Sequence, residues 1–429
     1  MANNNDNKVL NVPPLRFPEF SGEWKMCTIG ELTTKVGSGV TPRGGEAVYK
    51  TEGHPFVRSQ NVGLGNLLLD DIAFIDEETH LRQKNTELQF NDVLLNITGA
   101  SIGRSALVDK QIVGGNVNQH VCIIRTKENL VPSFICSFLL SNYGQRQIDS
   151  FQAGGNRQGL NFEQIKSIKI TIPSKDEQIK IAKLLRAIDE RIATQNKIIE
   201  KLQSLIKGLV DSLLENPSWE KVYLRSFMQF YSTNSLSWEQ LSYSNGNVRN
   251  LHYGLIHGFQ TSMIDSTLLP RILPNYQPKQ YTVCQDGDVA FADASEDTNE
   301  IGKAIEFSNT IDVKTVCGLH TIHGRDIKQN TILGFKGFAF NSRYFHDQVR
   351  RLAQGTKVYS ITAKNLSSCY VYIPDMIKQE NVVRLLNAYE ENLSLNRTLL
   401  NKYEIQKQYL LPRNSSLKIP TMFLHSTAA

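Results

Sequence analysis

Two sets of arginine, amide and other polar side chains are the residues of this sequence best suited to contact a partner molecule. Arginine can form paired hydrogen bonds with the edge of guanine, and asparagine or glutamine can do so with adenine. Single cations that follow a glycine, Arg104 and Lys303, are candidates for phosphate contacts. The candidates for base contacts are Arg58, Ser59, Gln60, Asn61, Gln119 and Arg157 in the first half, and Arg249, Asn250, His252, Tyr253 and Lys357 in the second.

Each of these candidates also has a purely structural interpretation. Arg58 and Arg249 could cap turns, because their neighbours Ser59 and Asn250 are typical turn residues. Arg104 could be a solvated residue of a hairpin. Gln119 could hydrogen-bond within its own sheet. Residue type alone does not decide between these alternatives.

The cluster Cys317, His320 and His323 has the composition of a metal site. On a strand, residues three apart point to opposite faces, so the two histidines would not share one ion. The six cysteines are scattered and form no Cys-x-x-Cys pair, which favours neither a zinc module nor a disulfide framework. We therefore predict no metal site, and a reducing cytoplasm as the compartment.

Composition narrows the class of protein. The chain has 429 residues, enough for two or three domains, and a net charge of only +5, so bulk charge does not indicate nucleic acid. The sequence has no apolar run near the roughly 20 residues of a membrane span, and its polar start lacks a secretory signal. A soluble cytoplasmic protein without membrane association is expected.

A long internal repeat is the strongest organising feature. Residues 154–214 recur at 355–415 with a constant offset of 201 and no gap. Fainter matches extend it backwards, and we align Arg58 with Arg249, Asp92 with Asp288, Arg104 with Lys303 and His120 with His320. The identities include Gly154/Gly355, Ile172/Ile373, Pro173/Pro374, Gln178/Gln379, Leu185/Leu386 and Glu190/Glu391. Two copies predict one duplicated unit with approximate two-fold symmetry, which suits a two-fold partner such as duplex DNA.

A long helix is predicted after the proline of each copy. Ser174 is a typical N-cap, Glu177 completes a capping box, and Asp375 is the cap of the second copy. Apolar residues then follow a heptad pattern until Asn216-Pro217 and Leu411-Pro412 end the helices. We predict that these helices pair as an antiparallel coiled coil.

The heptad pattern is interrupted once in each helix, by Gln195 and by its repeat partner Asn396. Antiparallel pairing would bring these two residues together, and a polar pair in an apolar seam fixes register. The alternative is that both side chains point to solvent. The outer helix faces also carry apolar residues that indicate partner helices, namely Ile198, Leu205, Val210, Leu385, Leu395 and Leu399.

The regions outside the long helices predict an α+β fold. Residues 92–97, 120–124 and 168–172 are β-branched and bounded by turn residues, whereas 131–143 and 331–347 favour helix. The predicted organisation is an N-terminal extension at 1–20, a first globular domain at 21–173, a long helix at 174–216, a second globular domain at 217–374, a second long helix at 375–413 and a tail at 414–429.

Several runs resemble specificity subunits of type I restriction-modification systems. The run 154–165 leads through Ile172-Pro173 into 176–189, which is similar to the junction of a target-recognition domain and its spacer helix in that family. Residues 98–104 and 117–120 resemble recurring elements of the recognition domains, and 250–254 resembles the start of the second. The resemblance extends from about Pro18 to Pro412.

The resemblance implies a subunit that performs no catalysis. It would read a split DNA target, one half per recognition domain, and hold two methyltransferase subunits together with restriction and translocation subunits. S-adenosylmethionine would be bound by the methyltransferase partner and no cofactor by this chain. The helices would act as a ruler, with half-sites about one helical turn, roughly 10 base pairs, apart.

The missing motifs agree with that expectation. The sequence has no Asn/Asp-Pro-Pro-Tyr/Phe motif of an adenine methyltransferase and no Gly-x-x-x-x-Gly-Lys-Ser/Thr phosphate loop. The alternatives are a self-contained methyltransferase or nuclease, and a coiled-coil protein-binding adaptor without sequence-specific DNA affinity.

Overall fold

The computed structural model describes residues 16–152, 159–259 and 261–410. The chain forms two compact units. The first contains the residues up to Thr194 and those from Leu400 onward, and the second contains Gln195–Leu399. Each unit therefore includes part of both long helices.

The first unit is α+β. Its strands are β1 (Lys25–Thr28), β2 (Thr33–Ser38), β3 (His54–Val57), β4 (Ala73–Ile75), β5 (Val93–Asn96), β6 (Ser105–Leu107), β7 (Asn116–Val117), β8 (Val121–Thr126) and β9 (Lys169–Ile172). Its helices are α1 (Glu77–Arg82), α2 (Pro132–Leu139), α3 (Asn142–Ser150), α4 (Phe162–Ser167) and the start of α5 (Lys175–Leu214). The sheets have the orders β2-β8-β5-β6, β4-β3-β7 and β1-β9.

The second unit is built on the same plan. Its strands are β10 (Glu220–Tyr223), β11 (Met228–Tyr231), β12 (Leu241–Ser242), β13 (Arg249–Leu251), β14 (Met263–Asp265), β15 (Arg271–Ile272), β16 (Val289–Ala292), β17 (Ala294–Ser295), β18 (Ala304–Ser308), β19 (Thr315–Cys317), β20 (Thr321–Asp326), β21 (Tyr359–Ser360) and β22 (Tyr370–Ile373). Its helices are α6 (Leu224–Phe227), α7 (Tyr253–Gly258), α8 (Phe335–Ala339), α9 (Arg343–Leu352), α10 (Ala363–Ser367) and most of α11 (Met376–Leu410). The sheets have the orders β11-β20-β16-β18-β14, β12-β15-β13-β19, β10-β22 and β17-β21.

Strand register relates the two units residue by residue. In the first unit Leu94 of β5 is paired with Ile123 of β8, and in the second Ala290 of β16 is paired with His323 of β20. Both pairs lie in antiparallel ladders at the same place in the sheet. Strand β8 therefore corresponds to β20, and β5 corresponds to β16.

Strand register also corrects one sequence alignment. The parallel pairs Val57 with Val117 and Leu251 with Cys317 match Val57 to Leu251. Arg58 therefore corresponds to His252, three residues beyond the Arg249 predicted from sequence. The similar Val-Arg pairs in both copies caused the error, because the strands around them have different lengths and different neighbours.

The sheets bury apolar side chains against the short helices. In the first unit Phe134, Phe138 and Ile148 of α2 and α3 pack on the sheet. The prediction of one helix at 131–143 was wrong, because Ser141 Oγ accepts a hydrogen bond from Gly144 N at 3.1 Å and starts a new helix. The predicted helix at 331–347 is likewise divided into α8 and α9 around Ser342.

The long helices begin and end close to the predicted residues. Ser174 Oγ accepts from Glu177 N at 3.4 Å, and Asp375 Oδ1 accepts from Lys378 N at 3.0 Å. The predicted capping box is incomplete, because the carboxylate of Glu177 accepts from Arg16 Nε and Nη2 at 2.8 and 2.7 Å. Helix α5 ends at Leu214, two residues before the predicted stop. The predicted stop of the second helix, at Leu411-Pro412, lies outside the described residues.

Helix contacts run in opposite chain directions within each unit. In the first unit Asp189 meets Lys407 at 2.5 Å and Arg191 lies over the ring of Tyr403. In the second unit Gln195 contacts Asn396, and a core cluster joins Val210 and Leu214 to Leu386 and its neighbours on α11. Both sets of contacts have the antiparallel direction that the heptad pattern predicts.

Candidate nucleic-acid interface

Four loops of the first unit meet at one end of its main sheet. Asn96, the last residue of β5, donates from Nδ2 to Ser59 O at 2.8 Å and to Ser101 Oγ at 3.1 Å. Ile97 N donates to His120 O at 3.0 Å, and Thr98 forms an isolated bridge with Gly159. The loops at 58–61, 97–104 and 118–120 and the chain near Gly159 therefore form one polar rim, which we call the first rim.

A chain of hydrogen bonds crosses the first rim. The backbone N of Thr41 donates to Gln119 Oε1 at 3.0 Å, and the hydroxyl of Thr41 donates to the same oxygen. Gln119 Nε2 lies 3.1 Å from His120 Nε2, and His120 Nδ1 lies 2.5 Å from Thr98 Oγ1. Gln119 is exposed on this rim, so its amide remains accessible to a partner while its oxygen is held in place.

The run Arg58 to Asn61 divides into structural and accessible residues. Asn61 is fully buried: its Oδ1 accepts from Arg58 N at 3.0 Å, and its Nδ2 donates to Leu68 O and to Asp71 Oδ1. Arg58 donates to Asp71 O at 2.7 Å and lies over the ring of Tyr49.

Two other residues of that run lie closer to solvent. Gln60 is exposed and donates to the carboxylate of Asp71, and Ser59 is half-buried. The structural interpretation thus holds for Asn61 and for most of the Arg58 side chain, whereas Gln60 lies on the surface.

Arg104 and Lys303 occupy equivalent positions. Asn96 N donates to Arg104 O, and Ala292 N donates to Lys303 O, both at 2.9 Å. The preceding glycines have φ angles of 86° and 71°, a left-handed conformation that disfavours a Cβ atom. Arg104 is exposed, but Lys303 Nζ lies 3.1 Å from Glu300 Oε2 and donates to His257 O at 3.3 Å.

The second unit has an equivalent rim rich in aromatic and histidine rings, which we call the second rim. Tyr253 contacts His252 with ring centroids 4.7 Å apart and ring planes tilted by 34°, and it makes edge contacts with His257 and His320 at 6.2 and 5.2 Å. Trp238 also contacts His252, with ring centroids 4.6 Å apart. Tyr253 is only half-buried, so part of its ring remains available for stacking.

Three predicted base readers of the second unit serve the protein interior. Asn250 is fully buried, and its Oδ1 accepts from Asn234 Nδ2 at 2.7 Å. His252 is also buried, and its Nδ1 accepts from Gly254 N at 3.2 Å. The half-buried Arg249 donates to the carbonyl of Leu269. Their hydrogen bonds hold backbone segments beneath the second rim.

The remaining predicted readers are Lys357 and Arg157. Lys357 is exposed in the loop before β21, which pairs with β17 beside the second rim. Arg157, its counterpart at the repeat offset of 201, lies outside the described residues. Among the described candidates Gln60, Arg104, Gln119 and Lys357 are exposed, and Tyr253 and Lys303 are half-buried.

Acidic residues distinguish the two rims. Asp293 and Glu300 of the second rim correspond, by their backbone hydrogen bonds, to Ile97 and Ser101 of the first. A hydrogen bond from His257 and the charge of Lys303 lower the pKa of Glu300 to about 2, so it is ionised at neutral pH. Burial raises the pKa of Asp293, whose Oδ1 lies 3.2 Å from His320 Nδ1. The second rim thus carries carboxylates where the first has uncharged residues.

Residue type did not single out some residues that build the rims. The sequence did not predict four rim residues, because their positions depend on strand ends that come together only in the fold. These residues are Asn96, Trp238, His257 and Asp293. His120 and His320 were found as repeat partners but not as rim residues, although the run 117–120 contained that signal.

The predicted polar pair of the long helices is in contact. Gln195 Nε2 donates to Asn396 Oδ1 at 2.6 Å and to Asn396 O at 3.2 Å, and Gln195 is buried. Asn396 Nδ2 donates to Asn392 Oδ1 at 2.6 Å. The alternative that both side chains point to solvent does not describe this pair. Its effect on register stays a prediction.

Apolar residues on the outer helix faces are exposed, with one exception. Ile198, Leu205, Leu385, Leu395 and Leu399 have exposed fractions from 38% to 70%, a surface suited to partner helices. The prediction for Val210 was wrong. This residue is 7% exposed and packs in the core of the second unit, because the end of α5 is covered there.

The histidines considered for a metal site are separated, because His320 lies with a φ of 54° in the turn before β20 and only His323 lies on that strand. His320 is exposed beside Asp293, whereas His323 is buried with its Nε2 2.7 Å from Asp288 Oδ2. Within the described residues, no helix has the length and apolar character needed to cross a membrane.

Comparison with known proteins gives a consistent result. The family described as type I restriction modification DNA specificity domain matches residues 21–204. The MjaX and MjaVIII type I restriction enzyme specificity subunits of Methanocaldococcus jannaschii are 20% and 23% identical over 425 and 424 residues. They cover 94% and 92% of this chain, with 95% and 92% of their own lengths.

A solved structure agrees over nearly the whole chain. The S subunit of a type I restriction-modification system from M. genitalium matches with a TM-score of 0.55 and 15% identity. The match covers 94% of this chain and 99% of the other and shows the shared fold. Residues 21–204 thus match the type I restriction modification DNA specificity domain, and nearly the whole chain is similar to the type I specificity subunits named above.

Proposed function

We propose that this chain is the DNA sequence-specificity subunit of a type I restriction-modification complex. It reads a bipartite target, with one half-site for each of the two globular regions predicted at 21–173 and 217–374. The observation that carries the proposal is the pair of equivalent rims with different side chains on a shared strand frame. A frame shared by two units whose loops differ is the arrangement expected for two readers of different sequences.

Base contact in the first half-site is assigned to exposed amides. Gln119 presents an amide donor and Gln60 an amide acceptor, groups suited to the edge of adenine, and their partners Thr41 and Asp71 restrict their orientation. Arg104 contacts phosphate and positions the loop. In the second half-site Tyr253 and Lys357 contact the DNA, with Lys303 near the backbone.

Chemistry is assigned to partner subunits. Two methyltransferase subunits bind the long helices through their exposed apolar faces and bring S-adenosylmethionine, and restriction subunits complete the complex. This chain binds no cofactor and performs no catalytic step in that assembly. The helices set the spacing between half-sites, and inserting one heptad into either helix changes the length of the unspecified gap.

The proposal is tested by mapping methylated adenines in cells that carry this gene and its methyltransferase partner. A split motif is expected, and deletion of this gene abolishes it. The variants Gln60→Ala and Gln119→Ala should relax or lose only one half of the motif. Gln111→Ala is a matched control, because Gln111 is an exposed amide that hydrogen-bonds Asp109 away from the first rim. Methylation that persists unchanged after deletion would reject the proposal.

A further inference from the structure

Three metal-binding side chains meet in the interior of the second unit. Cys284, Cys317 and His323 are all buried, and one possible ligand atom of each lies within 4.8 Å of the other two. The sulfur atoms of Cys284 and Cys317 are 3.7 Å apart. Two bonds of about 2.3 Å from sulfur to a tetrahedral zinc ion give a sulfur separation of roughly 3.8 Å. The two thiols therefore already have the separation that one shared ion requires.

The histidine has the carboxylate partner that a metal-binding histidine usually has. His323 Nε2 lies 2.7 Å from Asp288 Oδ2, and Arg325 donates to both oxygens of the same carboxylate at 2.8 and 2.7 Å. A proton on Nε2 leaves the lone pair on Nδ1, which is the form of imidazole that binds metal. A carboxylate behind a ligating histidine fixes its tautomer and ring orientation. Asp288 provides that support.

The first unit shows that the shared fold does not need these polar groups. Strand register matches His323 to Ile123 and Cys317 to Val117. Cys284 N donates to Thr315 O as Leu88 N donates to Gly115 O, so Cys284 corresponds to Leu88. Leu88, Val117 and Ile123 form part of one buried apolar cluster. The second unit thus has two thiols and an imidazole at sites where an apolar core suffices.

We propose that Cys284, Cys317 and His323 bind one zinc ion inside the second unit. Two thiolates and a neutral imidazole balance the +2 charge of the ion, and the two thiol protons leave with solvent when it binds. Among the described residues this cluster supplies three donors, so a solvent-derived ligand completes the tetrahedron. The assignment is independent of the proposed DNA function.

A zinc ion at this site would cross-link three chain segments beneath the second rim. Cys284 precedes β16, Cys317 ends β19, and His323 lies in β20, whose preceding turn carries His320. Bound zinc stabilises the folded second unit, because the unfolded chain does not assemble the three ligands. The metal has a structural role here and takes part in no reaction.

The test measures zinc in the full-length chain, purified without metal-affinity resin. About one zinc ion per chain is expected by elemental analysis. Cobalt substituted for zinc should give a thiolate-to-cobalt charge-transfer band and the intense visible bands of a tetrahedral site. Cys369→Ala is the control, since Cys369 is a buried thiol outside the cluster, and it should retain the zinc.

The decisive variant replaces the site with the residues of the first unit, C284L/C317V/H323I. It should fold, as judged by circular dichroism, and lose both the zinc and the cobalt bands. Should it fail to fold, the conservative variant Cys317→Ser replaces it. Its zinc affinity should fall by more than about 100-fold, because changes behind a ligand alone cost about 10- to 100-fold.

Two results would overturn the proposal. One is a wild-type chain that takes up no more zinc than the triple or Cys317→Ser variant when titrated against a competing chelator. The other is a disulfide between Cys284 and Cys317 in protein purified without oxygen, which would identify the pair as a redox site.

Discussion

Each unit contains an arginine that forms paired hydrogen bonds with a buried aspartate, an arrangement we call the clamp. The side chains around the clamp differ between the units. Arg125 donates from Nε and Nη2 to the two oxygens of Asp92, both at 2.7 Å, and Arg325 does the same to Asp288 at 2.8 and 2.7 Å. Beside the second clamp His323 adds a further hydrogen bond, whereas Ile123 is apolar. The strand frame therefore depends on a few ionic and backbone contacts, while both the core beneath the rim and the rim itself can change.

Removing the arginine of each clamp gives the largest expected effect. Arg125→Ala leaves the buried carboxylate of Asp92 without its cation, which should cost about 3 to 5 kcal/mol of unfolding free energy. Arg325→Ala should cost less, because His323 still donates to Asp288.

Burial disfavours ionisation of Asp288, but hydrogen bonds from Arg325 and His323 hold its pKa below the usual value. Denaturant unfolding together with hydrogen exchange of β8 and β20 measures both losses. Equal losses in the two units would show that His323 contributes nothing to the clamp.

A buried carboxylate makes the second unit sensitive to pH near neutrality. Burial raises the pKa of Glu390 to about 7, although Ser262 N and Oγ donate to it at 3.0 and 3.2 Å. Its repeat partner Asp189 pairs with Lys407 instead. A raised folded-state pKa means that stability is fully present below the ordinary pKa of 4.5 and is lost as pH rises through about 7.

Glu390→Gln should therefore stabilise the second unit at pH 8 by on the order of 2 to 3 kcal/mol and have little effect at pH 4.5. Thermal unfolding across that range measures the difference. Asp189→Asn serves as the comparison in the first unit. An unchanged pH profile in Glu390→Gln would assign the pH dependence to another group.

A smaller effect is expected at the polar pair of the long helices, where the contact between Gln195 and Asn396 can be tested directly. Gln195→Leu leaves Asn396 Oδ1 without its donor and should cost about 1 to 3 kcal/mol. The double variant Gln195→Leu with Asn396→Leu should recover most of that loss, because both polar groups are gone. A double-mutant cycle from denaturant unfolding measures the coupling. Additive losses would mean that the pair contributes no interaction energy.

The smallest expected effect concerns the cations of the two rims. Arg104→Ala should weaken DNA binding by the assembled complex at every sequence and reduce the salt dependence of affinity by about one phosphate contact. Lys303→Ala should have a weaker effect, because Glu300 already neutralises this lysine. Affinity measured over a series of salt concentrations separates the two. A larger effect of Lys303→Ala than of Arg104→Ala would contradict the expectation that Arg104 makes the stronger phosphate contact.

The sequence predicted the parts of the fold that depend on periodic patterns. The helix expected at 174–216 is observed at Lys175–Leu214, and the strand expected at 168–172 is Lys169–Ile172. Local capping was less predictable, because the hydroxyl of Ser141 competes with helix continuation and its direction is not visible in the sequence. Glu177 likewise met Arg16, 161 positions away, instead of its own helix cap.

Residue type predicted which side chains could bind a base, but it did not predict whether those side chains point to solvent or into the interior. Asn61 and Asn250 have the hydrogen-bonding groups of base readers, yet the fold turns both inward, where each bonds to a neighbouring segment. The Cys284 thiol was missed because zinc motifs are recognised by short spacings. In this molecule its neighbours Cys317 and His323 come from strands far along the chain.

Because each long helix contributes residues to both units, the order of synthesis affects folding of the first unit. The first unit needs residues from Leu400 onward, including Lys407 for its contact with Asp189. After a ribosome has added Thr194, it must still synthesise roughly 200 residues before those partners emerge. This takes about 10 to 40 s at 5 to 20 residues per second. During that interval the start of α5 lacks its partner helix, so the nascent chain should be most dependent on chaperones before its last helix is complete.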